Sequence, residues 1–556
     1  MKKSDFDKFD ELRKELQGEV ISELGSLKLG KLDSEDFTRC AKVLKIEAIE
    51  LNLPEIFFNE DGTLKEHGGV DIVVGNPPWE VWKPNSDEFF GPLYGMKKFN
   101  ALKKKEKKKV QDDLLGESPT LREKWEEYNR RMVLGSDYFR NDDCFRYQAW
   151  VVDGKKVKSD INLYKISLER FVQLGNDGCR YSILVPDNLV TDLGNTGLRH
   201  MLFDNYNVEE FLSFDNNKGI FPGVHRSYKF AVLNFNGDER GTRKLHAFFY
   251  KQSLDLLNND ADKLEYDMED VRRNEPQRLS LCEFRSRDES ILYNRINNRY
   301  RSLEESKLID FTRDFDKTND SKMFIKNNGG NDLIPLYEGK FINQFRLIRQ
   351  PSELEEAVAR DVVAGKVGED YRHYRIVVRS IGRATDERSL IATLLPPLTT
   401  AANSLMMQKG SDRMELSDKL FYLGMLDSYC LDYVLRRRIT SNVNKFLLMS
   451  VPMPKPVEVA DAGEIVGLVK ALLKENGEIY AGLDDEIPGN KYDGFSHEEL
   501  IAELNARIMI DFGLSRDDIV NLMKSFESAK HTEDVRETAQ NIIDVYDKMK
   551  EQCYEG

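Results

Sequence analysis

The chain has 556 residues, 40% apolar and 32% charged, a length and balance that predict a soluble globular protein of about three to five domains. No stretch reaches the about 18 consecutive apolar residues that a membrane helix needs, and six scattered cysteines without a C-x-x-C pair predict reduced thiols and no zinc site. The net charge of −15 does not exclude a nucleic-acid partner: residues 457–556 hold 23 acidic and 10 basic side chains, which leaves the rest of the chain near neutral.

The amino-terminal stretch MKKSDFDKFDELRKEL is charged and helical in period and lacks the apolar core of a secretory signal, so a cytoplasmic location is expected. Residues 1–60 are predicted as a helical segment. The apolar run Val70–Gly75 reads as a buried strand and leads directly into Asn76-Pro77-Pro78-Trp79. Residues 97–158 are charged and mostly helical, with the run KKKEKKK from Lys103 to Lys109. NLYKISLERFVQLG (162–175) reads as a helix, and CRYSILVPDNL, VEEFLSFDN and KFAVLNFNG read as strands. Strands alternating with helices predict an α/β domain over 61–245, built as part of a doubly wound sheet. After 245 the strands shorten and Arg and Asp rise in number, so residues 246–456 are expected to form a mixed α+β domain. The prolines of VPMPKPVEV make a stiff linker before an acidic helical region, 457–556.

The chemistry is concentrated in the turn after the first strand. Ligands of open α/β sheets gather at the carboxyl ends of strands. Two prolines fix φ and remove two N–H donors, leaving a stiff loop that presents acceptors: the Asn76 side-chain oxygen and the Pro77 carbonyl. Trp79 adds a flat aromatic face. Such a notch suits an amino-bearing heteroaromatic ring.

Asn76-Pro77-Pro78-Trp79 resembles motif IV of the amino-methyltransferases, in the Asn form typical of adenine-N6 enzymes. LPEIF…GGVD stands before it, and further blocks follow in the family's order: DINLYKISLERF, SILVPDNLVTD, FDNNKGIFPGVHRSYKFAVLNF, CEFRSRDESILYNRI, FTRDFDKTNDSKMF, IPLYEGKFINQF, VVRSIGRATDERSLIATLLPP and LGMLDSYCLDYVLRRR. Over roughly residues 50–556 the chain is similar to the carboxyl-terminal two-thirds of large N6-adenine DNA methyltransferases of the type IIG and BREX-like phage-defence group. The resemblance implies that a target adenine is flipped out of the duplex and that Asn76 and the Pro77 carbonyl accept from its amino group. The nitrogen, its lone pair thereby localised, then attacks the methyl of S-adenosylmethionine. It also implies that Trp79 stacks on one face of the base and Phe221, of the GIFPGV turn, on the other, and that Asn162 and Tyr164 line the pocket.

The family's glycine-rich cofactor loop is missing from this sequence. It is expected about a hundred residues before the motif; only 75 residues precede Asn76, and none of the 36 glycines sits in a G-x-G triplet. Cofactor-binding residues are therefore unassigned, apart from Asn76 and Pro78, which adjoin the methyl donor in the implied geometry. Two readings follow: a split enzyme whose second chain carries the loop, or a silent DNA-binding subunit. Methylation of a protein glutamine amide is a third, against which the long carboxyl-terminal region weighs. A lone half-sheet would expose an unpaired strand edge and apolar surface.

Double-stranded DNA is the expected macromolecular partner, and the resemblance implies that residues 246–456 are the target-recognition domain that binds it. Its candidate contacts are Lys103, Lys104, Lys105, Arg379, Arg383, Arg436 and Arg437. Each has a plainer reading: a solvated helix face for the lysines, ion pairing for the arginines, with Asp386 and Glu387 at hand. The histidines show no metal-ligand spacing, and no Walker loop or nuclease motif is evident.

Overall fold

A computed structural model describes residues 49–555 apart from 60, 62, 153, 158, 223, 239–240, 256–262, 385, 440–441, 490 and 528–531. The helix expected over 1–60 lies mostly outside the described residues; inside them are two short turns, Ile49–Asn52 and Pro54–Phe57. The architecture is mixed α/β with several separate sheets. Contacts divide it into two units, 1–285 and 286–556.

The first unit is built on a six-stranded sheet of β1 (Val70–Gly75), β2 (Gly175–Pro186), β3 (Asn207–Asp215), β4 (Lys229–Asn236), β5 (Lys244–Lys251) and β6 (Leu264–Asp267), in the order β1-β2-β4-β3-β5-β6. β1 and β2 are parallel, with Gly75 opposite Ile183; β4 runs antiparallel to both β2 and β3; β5 is parallel to β3. The expected boundary at 245/246 falls inside β5, and the first unit continues to Arg285.

Alternation along β2 and β4 places Ile183, Val185, Ala231, Leu233 and Phe235 in the core. Helix α1 (Ser86–Tyr94) begins a helical insertion continued by α2 (Met96–Ala101), α3 (Lys104–Glu117) and α4 (Pro119–Asn141). Helix α5 (Leu163–Leu174) then packs on the sheet. A Cβ on Gly75 would stand 3.6 Å from the Phe171 ring of α5, so that face of β1 is covered. The opposite face is bare: Ile72 is 66% exposed and Val74 76%. β1 has a neighbour on one flank only among the described residues. A sequence run that predicts a buried strand therefore forms, among the described residues, an edge strand with Ile72 and Val74 in water.

The second unit carries a four-stranded antiparallel sheet of β7 (Asp310–Thr312), β10 (Arg375–Arg379), β11 (Ala392–Leu395) and β12 (Leu405–Lys409), and a small hairpin of β8 (Ile342–Asn343) and β9 (Arg346–Leu347). A second four-stranded sheet lies in the same unit, and its helices include α6 (Leu416–Leu426), α7 (Tyr429–Arg436), α8 (Ala462–Lys474), α9 (His497–Asp511) and α10 (Thr532–Glu555). α8 packs on both α6 and α9, so the acidic helices of 457–556 share a compact unit with the strands before them. A buried ion pair, Arg375–Asp314 at 3.0 Å, is completed by the Thr400 hydroxyl and the Thr399 carbonyl.

The exposure of β1 has a measurable consequence. Ile72→Ser and Val74→Ser are each expected to change unfolding free energy by no more than about 0.5 kcal/mol, as at other surface sites. Ile183→Ala, on the neighbouring strand, is expected to cost about 2–5 kcal/mol. Urea unfolding of the three variants checks this.

Candidate functional site

β1 delivers Asn76 to its carboxyl end. The Asn76 side chain is exposed and has no hydrogen-bond partner among the described residues, and no donor reaches the Pro77 carbonyl there. Pro77 is buried, Pro78 exposed and Trp79 half-buried. With two ring nitrogens in place of N–H groups, the turn is fixed by braces from outside. Asn162 Nδ2 donates to the Trp79 carbonyl at 2.9 Å, while Asn162 Oδ1 accepts from the Tyr164 N–H and caps α5. The backbone of 80–82 is stitched to 161–163 by Leu163 N to Glu80 O (2.9 Å) and Trp82 N to Ile161 O (2.7 Å). The Trp82 indole N–H then donates to the Met132 carbonyl of α4. That approach needs Gly135, whose Cβ would fall 2.5 Å from the indole nitrogen.

Trp79 and Phe221, far apart in sequence, lie against one apolar cluster of Leu212, Phe214, Phe230 and Phe248. The Phe221 ring meets Phe230 edge-on at 4.8 Å. Its loop is held by buried Asn216, which accepts from Phe221 N (2.9 Å) and donates to the carbonyls of Phe221 and Val224. Trp79 pairs with no other ring among the described residues, and its indole N–H is buried without a partner.

Asn162 thus braces the turn through its backbone. Tyr164 corrects the sequence expectation: it is 2% exposed and its hydroxyl donates to Asn195 Oδ1 at 2.8 Å, so it is a core residue rather than a pocket wall. Burial pushes that phenol well above its usual range. His225 pairs locally with the Ser227 hydroxyl, as a loop hydrogen-bonder does.

The cationic candidates divide. Lys103, Lys104 and Lys105 are exposed at the start of α3, and Arg383 is exposed with no side-chain partner among the described residues. Three others are corrected by the structure. Arg379 is half-buried and donates to the Ile342 carbonyl. Arg436 is 5% exposed, lies 3.8 Å over the Phe526 ring and donates to the carbonyls of Asp386, Glu387 and Ser525. Arg437 reaches Glu289 at 3.3 Å and covers the Tyr433 ring. In each case the guanidinium is consumed by the fold.

One group of residues near the strand ends escaped the sequence reading. Asp187 follows the last residue of β2 and is almost fully buried, 3.6 Å from Lys229, which also pairs with Glu283 at 3.2 Å and lies over the Tyr250 ring. Burial and the Glu283 charge push the Asp187 carboxyl up to about 6, against the pull of Ser213 and Lys229. The signal was an acid placed directly after a strand-ending proline, in VPD. Among the described residues no cluster of His, Cys, Asp and Glu could hold a metal, and no helix is long and apolar enough to cross a membrane.

No family model matches the chain, and no curated protein matches it. Among solved structures, a Type IIL restriction-modification enzyme, MmeI in complex with DNA, is similar at 11% identity and a TM-score of 0.36, over 82% of this chain and 56% of that one. A nuclease-deletion mutant of the Type ISP restriction-modification enzyme LlaGI, with a DNA substrate mimic, gives 12% and 0.34 over 80% and 37%. The type IIG restriction endonuclease BpuSI gives 13% and 0.28 over 71% and 50%. The chain therefore spans about half or less of the length of these relatives. At such distances the likeness decides nothing about function.

Two measurements test the braces. Asn162→Ala is expected to lower unfolding free energy by about 1–3 kcal/mol, through the lost cap and the orphaned Trp79 carbonyl, read by denaturant titration. Asp187 keeps its proton in the folded state to higher pH than in the unfolded chain, so its contribution falls as pH rises from about 4 to about 6. Asp187→Asn is accordingly expected to gain about 1–3 kcal/mol relative to the parent at pH 7 and to lose that advantage at pH 4, measured by urea unfolding at the two pH values.

Proposed function

We propose that this chain is the base-holding subunit of a two-chain DNA adenine-N6 methyltransferase acting in restriction–modification or phage defence. The observation that carries the reading is the turn itself. Asn76 and the Pro77 carbonyl stand without partners among the described residues, at the end of a parallel strand, on a loop that has lost two donors to proline. An exocyclic amino group brings two hydrogens, which matches two fixed acceptors. Trp79 and Phe221 converge on the same apolar cluster, and an unstacked base between such faces gains about 1–3 kcal/mol per stack. The roles of these residues are to bind, orient and desolvate the amino nitrogen.

The described residues do not make a cradle for S-adenosylmethionine. Among the described residues no strand lies beyond β1, and no G-x-G loop occurs in the sequence. No step through the donor is therefore assigned to this chain. A companion body bearing that loop would sit on the open flank of β1 and cover Ile72 and Val74, whose exposure is otherwise unfavourable. The target-recognition role expected of 246–456 is proposed for its part in the second unit, with Lys103, Lys104, Lys105 and Arg383 as further candidates to face phosphates.

A silent DNA-binding subunit is the second reading. It is favoured by one observation: Trp79 is half-buried against the chain's own aromatic cluster, with its indole N–H unpartnered.

The test is methyl transfer from labelled S-adenosylmethionine to duplex DNA, with N6-methyladenine identified in the hydrolysed product. The expected result is transfer by the complex purified from the native host, none by this chain alone, and a loss of about 10²-fold or more in the Asn76→Ala complex. Equal transfer by the Asn76→Ala complex contradicts the proposed role of the turn. DNA binding by the complex without any transfer selects the silent subunit.

A further inference from the structure

The helical insertion that follows the Asn76 turn carries a dense block of one charge. Over 96–109, MKKFNALKKKEKKK, eight lysines stand against one acid, Glu106. The frame beneath them is packed. Phe89 and Phe90 of α1 meet Trp125 of α4 at 4.9 and 4.8 Å, and Phe99 of α2 is fully buried. The Arg122 guanidinium of α4 donates to the Leu115 carbonyl of α3. One lysine is used by this frame: Lys107 pairs with Asp87 and lies 5.4 Å over the Phe99 ring. Every other lysine of the segment, from Lys97 to Lys109, is exposed and makes no ion pair among the described residues.

This charge order opposes the helix that bears it. No residue of α3 is buried, so tertiary packing does little to hold it. Lys104 and Lys108, and Lys105 and Lys109, are like charges one turn apart, which repel. Apart from Glu106, the first two turns are cationic, and the acids Asp112, Asp113 and Glu117 come after them. The helix dipole favours the reverse. A ligand that neutralises the lysines therefore removes a cost from α3. Its chemistry follows from the side chains. Protein interfaces are poor in lysine and are anchored by aromatic and apolar groups, and residues 103–109 contain none of these. Closely set point charges of one sign suit a polyanion, and duplex DNA carries one charge per about 1.7 Å of axis.

We propose that the lysine face of α2 and α3 is a sequence-blind backbone grip for duplex DNA, and that the bound duplex in turn steadies α3. The assignment rests on the reading of the chain as DNA-binding. It deepens that reading by giving Lys97, Lys98, Lys108 and Lys109 a share in one surface with Lys103, Lys104 and Lys105, and by linking that surface to the order of the helix. Contacts to phosphate fix where a duplex lies and do not choose its sequence. The insertion that bears the lysines also closes the Asn76 turn from behind, through the Trp82 indole N–H on the Met132 carbonyl. One body thus holds both the backbone and the acceptors.

The test is binding of the full chain to a fluorescent duplex of random sequence across a salt series, with amide hydrogen exchange of α3 read on the same proteins. The variants are the pairs Lys97→Ala with Lys98→Ala, Lys108→Ala with Lys109→Ala, and Lys104→Glu with Lys105→Glu. The control is Lys491→Ala, which removes a cation paired with Glu464 in the second unit. Each alanine pair is expected to weaken binding about 10-fold or more for any sequence and to flatten the plot of log affinity against log salt by about two. Lys491→Ala is expected to match the parent. The glutamate pair separates function from folding, because its two effects have opposite signs. It is expected to abolish binding at moderate salt and to slow exchange in α3 of the free chain, since acids suit the start of a helix. In the parent, added duplex is expected to slow that exchange. If the parent binds duplex and all three pairs keep its affinity and slope, the lysine face is a solvated surface and the assignment is overturned, while DNA binding stands. If poly-L-glutamate displaces the duplex at equal charge concentration, the face is one for an acidic protein and the duplex assignment is overturned. If neither duplex nor the glutamate pair slows exchange, the link to the order of α3 is overturned. If the parent binds no duplex, the DNA-binding reading falls and this assignment with it.

Discussion

The structure of the first unit depends on how a strand with only one neighbour holds a turn in place. β1 has β2 on one flank and α5 on one face; its other flank is unpaired among the described residues, and its other face carries Ile72 and Val74 in water. An edge strand is the least constrained part of a sheet, and two prolines deprive the following turn of backbone donors. The position of Asn76 is set instead by bonds from outside: Asn162 on the Trp79 carbonyl, the 80–82 to 161–163 stitching, and Trp82 driven into α4. The helical insertion between β1 and α5 therefore has a structural task, that of closing the turn from behind.

The second unit uses buried polar groups in the same way. Asp432 faces Arg388 at 2.7 Å and Arg436 at 3.7 Å, and Asp427 receives Gln344, Phe345 and Ala392. Breaking one member of such a network leaves an uncompensated buried charge, which costs more than the pair contributes. The arginines so engaged lie on the segments VVRSIGRATDER and LDYVLRRR, whose composition alone suggests a DNA surface. Of the cations expected from sequence to meet DNA, those that remain outward are fewer: Lys103, Lys104, Lys105 and Arg383.

The strand into Asn76, the α5 helix and the strands at 179–186, 207–215 and 229–236 were legible in sequence because their periodicity and punctuation are local. That Trp79 and Phe221 lie near one place was expected only through family resemblance; both do lie against one apolar cluster, and nothing in spacing brings them together. Tyr164 was misjudged because its neighbour Asn162 does face the turn, and a helix start gives no hint that the next turn points into the core. Arg436 was misjudged because a run of arginines looks solvated until Phe526 and the carbonyls of 386 and 387 are seen beneath it. The sheet's extension through β5 and β6 was hidden by a change of composition that marks no break in the fold. Asp187 was passed over because its burial is created by partners distant in sequence, Lys229 and Glu283.

The central claim, that the Asn-Pro-Pro-Trp turn holds an adenine amino group for methylation, is tested most directly in the host's own DNA. Single-molecule sequencing that detects N6-methyladenine should find a methylated sequence motif in the parent strain. That motif should vanish both on deletion of this gene and on the chromosomal change Asn76→Ala, with the protein's abundance unaltered in the latter. An unchanged set of methylated adenines in the Asn76→Ala strain would contradict the account.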